Sequence, residues 1–159
     1  MTQDLIVGSQ AALNTIQGCL VVTLQADLYD DLLSRIRQSI LESVHAASIR
    51  GVFFDMSSVG VLDSYIFNHL ADTAKMTQLL GARTVFVGFQ PGAVSALVDL
   101  DIDTSNIQML RNIEEGIEYL AAFAARREKH QKDSEYSETT GDETLQPDEA
   151  WNEADDGRQ

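Results

Sequence analysis

The sequence predicts one α/β domain, in which helices cover a largely parallel or mixed β-sheet. Short runs rich in β-branched residues alternate with longer stretches whose apolar residues recur every three or four positions. Strands separated by helices are typical of sheets with parallel pairs, because each helix returns the chain to the same end of the sheet. The 159 residues, 44% of them hydrophobic, suffice for one sizeable core and an appendage.

Two strands and an amphipathic helix are predicted first. Residues 12–16 and 19–24 are apolar runs separated by Gln17 and Gly18, which indicates a hairpin or two adjacent strands. Cys19 is predicted to be a small core residue, since its stretch lacks the positive groups that make a thiol reactive. Residues 27–47 change to helical spacing, with Asp30 and Asp31 in the first turn and apolar positions at Leu33, Ile36, Ile40 and Val44.

Three strand–helix units follow. The strands are predicted at residues 49–54, 84–88 and 107–110; the first is continuously apolar and therefore buried on both faces, and the last is a short edge strand. The first helix covers about residues 64–80 and ends at Gly81. The second opens with Pro91 in its first turn, and the third begins after the capping pair Asn112 and Glu115 and ends near Arg126 and Arg127.

Charge divides the chain into a domain, residues 1–127, and a tail, residues 128–159. The domain has 14 acidic against 8 basic residues and the tail 11 against 3, within a total net charge of −14. An isoelectric point near 4.3 argues against binding to nucleic acid or to an anionic membrane. The tail is so poor in large apolar residues that disorder is predicted. The alternative is a short docking motif at residues 145–151.

Composition excludes several further classes. A single cysteine rules out an internal disulfide and a cysteine-clustered zinc site, and none of the three histidines is spaced with a second metal ligand. No glycine-rich phosphate loop is present either. From these two observations together, neither a cofactor nor a metal is expected. The first residues lack the basic region of a signal peptide, and no apolar run approaches the length of a membrane span. A soluble cytoplasmic protein is the expectation.

The stretch from residue 52 to 66 concentrates the candidate functional residues. An apolar run ends at Asp55, a polar loop follows, and Asp63 and Ser64 open a helix. A helix N-terminus favours negative groups, so Ser64 is a simple cap, a nucleophile or a phosphate acceptor.

Nucleophilic catalysis is disfavoured by the residues around Ser64. The G-x-S-x-G pattern is missing, and His69 lies five positions along the same helix, where its ring is not aimed at the helix start. Asp55 and Asp63 could form an acid/base pair, but without a third partner they are interpreted as caps of turns and helix starts. No enzymatic activity is expected.

Two motifs carry a resemblance to a known family. Residues 53–64, FFDMSSVGVLDS, resemble the core motif of the STAS family, the sulfate-transporter and anti-sigma-factor-antagonist domain. Residues 80–91, LGARTVFVGFQP, resemble its fourth strand in the stressosome branch, and most of all the small RsbS-type scaffold proteins. The similarity spans roughly residues 15–120 and implies a single STAS-like domain with about four helices.

The resemblance also implies a function and partners. RsbS-type proteins are non-enzymatic and assemble with RsbR-like STAS proteins into a large cage, with homodimers as the smaller unit. The cage holds an RsbT-like serine kinase, which leaves after phosphorylating the serine that corresponds to Ser64, and an RsbX-like phosphatase reverses this step. Ser57 and Ser58 are second-choice acceptors, and Asp55, Asp63 and Tyr65 are predicted to contact the partner around the switch.

Two other functions within the family remain open. A free anti-sigma-factor antagonist binds an anti-sigma kinase one to one, and an accessory STAS domain binds a small ligand. Antagonists usually follow Asp-Ser with Ser or Thr and then Gly, whereas Tyr65 and Ile66 follow here and favour the stressosome branch.

The sequence departs from the family at three places. Ala96 replaces a threonine, so no second phosphosite is carried over although Ser95 is adjacent, and Asp101 replaces the usual glycine before the last strand. The acidic tail has no counterpart in small RsbS proteins.

Overall fold

The computed structural model describes residues 5–6, 11–25, 28–105 and 107–139, with side chains described only between residues 11 and 126. The contacts divide the chain into two units, Met1–Phe123 and Ala124–Gln159. The first unit contains the sheet and the helices packed on it. In the second unit, the described backbone is the continuation of the last helix.

A six-stranded sheet runs through the first unit in the sequential order β1-β2-β3-β4-β5-β6. The first three strands pair antiparallel, and β3 to β6 pair parallel. The predicted mixed and mostly parallel sheet is therefore confirmed. The strands are β1 Leu5–Ile6, β2 Ala11–Ile16, β3 Cys19–Leu24, β4 Gly51–Asp55, β5 Arg83–Val87 and β6 Gln108–Leu110.

The described residues form four helices: α1 Asp30–Ala46, α2 Ser64–Leu79, α3 Pro91–Asp99 and α4 Ile113–Thr139. The larger core joins α1, α2 and α3 to one face, and all four apolar residues predicted for α1 are buried in it. The smaller core lies on the other face, where Leu120 of α4 packs with Cys19 and Phe53. Burial raises the pKa of the Cys19 thiol, in keeping with the predicted core role.

The structure adds one strand to the predicted elements and places two helix ends three or more residues from the prediction. Strand β1 was not predicted, because two residues are too few to show a period. Helix α1 begins at Asp30, later than the predicted residue 27. Helix α4 continues to Thr139, beyond the end predicted at Arg127, because glutamate, lysine and glutamine prolong a helix that is already nucleated. The rest of the predicted tail, including the possible docking motif at 145–151, lies outside the described residues.

Residues with positive backbone φ angles lie at the ends of two helices and in the turn of one hairpin. Gln17 and Gly18, with φ of 52° and 75°, make the predicted turn between β2 and β3. Gly81 and Asp101 each follow a helix in the left-handed region, with φ of 91° and 49°. The amide of Asp101 bonds the Val98 carbonyl, as in a Schellman cap. Asp101 thus adopts the conformation that a glycine would supply, and aspartate tolerates it better than most residues.

Helix α4 approaches the sheet through a glycine. A Cβ built on Gly116 would overlap the ring of Phe53, which is fully buried. One turn later, Leu120 packs on Gly51 of β4, where an added Cβ would overlap the leucine side chain. Glycine normally weakens a helix interior, so this contact explains its position.

Gly116→Ala is expected to lower the free energy of unfolding by about 1–3 kcal/mol, because the overlap with Phe53 exceeds the gain in helix propensity. Urea denaturation followed by circular dichroism measures the change. Gly60→Ala is the control, since a Cβ at Gly60 meets nothing within 4 Å. Equal stability of the two variants would contradict this account of the packing.

His69 lies where α2 packs on α1. The Arg37 guanidinium donates hydrogen bonds to the His69 carbonyl at 3.4 Å and to Thr73 Oγ1 at 3.3 Å. The Nδ1 atom of His69 is buried and has no hydrogen-bond partner within the described part of the chain. Burial of the ring, and secondarily the Arg37 charge, lower the pKa of His69, while Asp72 and Asp30 oppose this effect.

We expect the stability of the fold to fall as the pH drops below about 6.5, the ordinary histidine pKa, because the unfolded chain then binds a proton that folded His69 resists. The loss continues down to the lowered pKa of the folded state. Thermal unfolding of His69→Gln should show a smaller pH dependence in this window. His45→Gln, at an exposed position of α1, is the control. An unchanged pH profile in His69→Gln would refute the assignment.

Candidate functional site

Ser64 is the first residue of α2, as the sequence predicted. Asp63 precedes it in extended conformation, and its carboxylate accepts a hydrogen bond from the Ile66 amide at 2.7 Å. An N-cap of this kind stabilises a helix by about 1 kcal/mol. Because Asp63 occupies the Ile66 amide, the amides of Ser64 and Tyr65 are the first-turn donors without an acceptor inside the helix.

The surface around Ser64 is open. Ser64 is exposed, and within the described residues its hydroxyl makes no hydrogen bond. Val61 and Tyr65 flank it with 82% and 53% of their surfaces exposed. The first turn of α2 and the loop before it thus present two large side chains to solvent.

The loop between β4 and α2 is anchored to the core by three buried side chains. Met56, Val59 and Leu62 are at most 1% exposed, and each packs in the larger core. The Val59 amide donates to the Met56 carbonyl at 2.9 Å, which closes a turn between the first two anchors. These three contacts therefore hold the loop backbone in place while its polar residues are presented at the surface.

The beginning of the loop is bonded to the neighbouring strand. The Met56 amide donates to the Val87 carbonyl at 2.9 Å, continuing the parallel pairing of β4 and β5. Asp55 Oδ1 accepts both the amide and the hydroxyl of Ser57, at 3.0 and 2.5 Å. Gln90 Nε2 donates to the Ser57 carbonyl at 3.0 Å.

The predicted site residues thus fall into two groups. Ser64, Asp63 and Tyr65 share the first turn of α2, whereas Asp55 and Ser57 share a turn at the end of β4. Ser58 is exposed between them. Among the described residues no hydrogen bond joins the two groups, and none joins Ser64 to His69. Ser64, Asp63 and His69 therefore form no hydrogen-bonded triad within the described residues.

Two residues at the site were missed by the sequence reasoning. Gly88 has a φ of 75° and lies so close to Ser57 that a side chain would overlap the Ser57 hydroxyl. Gln90 reaches Ser57 from 33 positions away. A glycine at the end of the predicted strand 84–88 was an available signal for Gly88, but no spacing rule points to Gln90.

The described residues contain no cluster of three or more histidine, cysteine, aspartate or glutamate side chains that could hold a metal ion. None of the described helices combines the length and apolar character needed to cross a bilayer.

A family model and one group of curated proteins match the chain. The model of the STAS domain matches residues 10–116. The RsbT co-antagonist protein RsbRA of Bacillus subtilis (strain 168) is 23% identical over 111 residues, which cover 70% of this chain and 40% of that protein. The chain spans 40% or less of the length of each curated relative it matches.

Solved structures share the fold. An RsbS variant from Moorella thermoacetica superposes with a TM-score of 0.63 at 20% identity, covering 74% of this chain and 99% of that one. A chain of the stressosome, described as a signal integration and transduction hub, gives 0.62 at 21% identity over 70% and 97%. The unphosphorylated anti-sigma factor antagonist SpoIIAA gives 0.54 at 14% identity over 77% and 97%.

The match of the family model, residues 10–116, covers most of the chain. The chain belongs to the STAS domain family.

Proposed function

We propose that this protein is a non-enzymatic scaffold of the stressosome type, which sequesters an RsbT-like switch kinase and releases it when Ser64 is phosphorylated. The observation that carries the proposal is the Ser64 hydroxyl, exposed and free of hydrogen bonds within the described chain at the first residue of α2. The similarity to RsbS in fold and to RsbRA in sequence supports this choice within the family.

The proposed switch acts through charge. A phosphate on Ser64 would add about −1.5 to −2 charges next to Asp63. The free amides of the first turn favour a negative group, whereas the Asp63 carboxylate repels it. Val61 and Tyr65, the exposed apolar neighbours, are the proposed contact of the kinase. A partner that covers them would also have to bury the phosphate, and burying an unpaired charge is costly.

The proposed assembly requires further partners. RsbR-like STAS proteins would form the shared cage, homodimers would be its smaller unit, and an RsbX-like phosphatase would restore Ser64. The role also requires the cytoplasmic location expected from the sequence.

Ser64→Asp is expected to weaken binding of the RsbT-like kinase by about tenfold or more, because it places a second negative charge in the interface. Ser64→Ala should retain binding. A pull-down with the kinase of the source organism measures both variants. Gln78→Glu is the control, since it adds the same charge at an exposed position of α2 in its last turn, away from the helix start. Equal binding of Ser64→Asp and Ser64→Ala would refute the switch.

A second candidate function is that of a free antagonist, which the likeness to the fold of SpoIIAA favours. Size-exclusion chromatography with an RsbR-like protein distinguishes the two. A stressosome scaffold should elute with its partner as a particle in the megadalton range. Elution near the size of a monomer or dimer would instead favour the one-to-one antagonist.

A further inference from the structure

Ser57 is exposed on the surface, yet all its polar groups are bonded. Its amide and its hydroxyl both donate to Asp55 Oδ1. Its carbonyl accepts from Gln90 Nε2 at 3.0 Å. The preceding amide, that of Met56, is held by the Val87 carbonyl. The Ser57 hydroxyl is therefore fixed in one direction, toward the carboxylate.

The absence of a side chain at Gly88 creates the room for this arrangement. A Cβ on Gly88 would overlap the Ser57 hydroxyl and would come within 3.2 Å of Asp55 Oδ1. The φ of 75° at Gly88 also suits glycine better than other residues. The oxygen of Ser57 thus lies between the Asp55 carboxylate and the Gly88 backbone. We call Asp55, Gly88 and Gln90 the Ser57 clamp.

Phosphoryl transfer makes demands that the clamp opposes. The serine oxygen must attack the γ-phosphorus of ATP in line with the leaving oxygen, forming the new O–P bond while the bond to ADP breaks. The serine proton must pass to a base of the kinase. In Ser57 this proton is donated to Asp55, and the carboxylate would lie against the incoming triphosphate. The Ser64 hydroxyl donates to no acceptor within the described chain, and the neighbouring Asp63 carboxylate is bonded to the Ile66 amide instead.

We propose that the Ser57 clamp is a specificity determinant, which withholds Ser57 from the kinase and directs phosphoryl transfer to Ser64. This inference rests on the proposed function, since it assumes a kinase that acts on this surface. Asp55 is then a positioning residue that acts through Ser57.

Phosphosite mapping of clamp variants tests the proposal. The background Ser58→Ala/Ser64→Ala leaves Ser57 as the loop acceptor and is expected to incorporate at least about tenfold less phosphate than the natural chain, because a hydrogen bond to a charged group must be broken. Adding Asp55→Ala or Gly88→Ala should raise phosphorylation of Ser57 by about tenfold. Gly81→Ala is the control, since its φ of 91° gives the same strain with nothing within 4 Å.

A measurement without the kinase separates this inference from the proposed function. The Ser57 amide is expected to exchange its hydrogen about tenfold faster in Asp55→Ala than in the natural chain, and no faster in Gly81→Ala. Circular dichroism checks that each variant is folded, and Asp55→Ala carries the test if Gly88→Ala unfolds.

The outcomes are distinct. A natural chain that the kinase does not phosphorylate would refute the proposed function, while amide exchange would still decide whether the clamp exists. Phosphorylation of Ser57 in the Ser58→Ala/Ser64→Ala background at the rate of natural Ser64 would overturn the clamp and leave the switch intact. Equal amide exchange in Asp55→Ala and the natural chain would overturn it as well.

Discussion

The site depends on the parallel pairing of β4 with β5. Their register sets Asp55 opposite Val87, and the Met56 amide extends the ladder by one further bond to the Val87 carbonyl. Parallel strands end at the same edge of a sheet, so the loops that follow β4 and β5 leave it side by side. Ser57 therefore meets Gly88 and Gln90, and the turn that leads to Ser64 begins from a fixed point.

Local features of the fold could be predicted from the sequence because local sequence causes them. The aspartate–serine pair marks the start of α2 through the Asp63 cap, and Gly81 marks its end through a positive φ. The pair Gln17 and Gly18 turns the first hairpin in the same way. The four apolar positions of α1 follow from the helical period alone.

Long-range contacts could not be predicted in this way. The bond from Gln90 to Ser57 joins residues 33 positions apart, and the packing of Gly116 on Phe53 joins a helix to a strand early in the chain. Both arise only when the sheet has set its strands in register. The residue types at these positions carry no periodic signal, because a single glutamine or glycine can occur at a position for many different structural reasons.

The same geometry explains how a surface switch can act without unfolding the domain. Met56, Val59 and Leu62 hold the loop to the core at every third position, and the Asp63 cap fixes the helix that follows. Tyr65 and Val61, which are near Ser64 in the chain, are exposed on the outside of these anchors. In the proposed mechanism the added charge therefore changes what the surface can bind, while the apolar contacts that stabilise the fold stay in place.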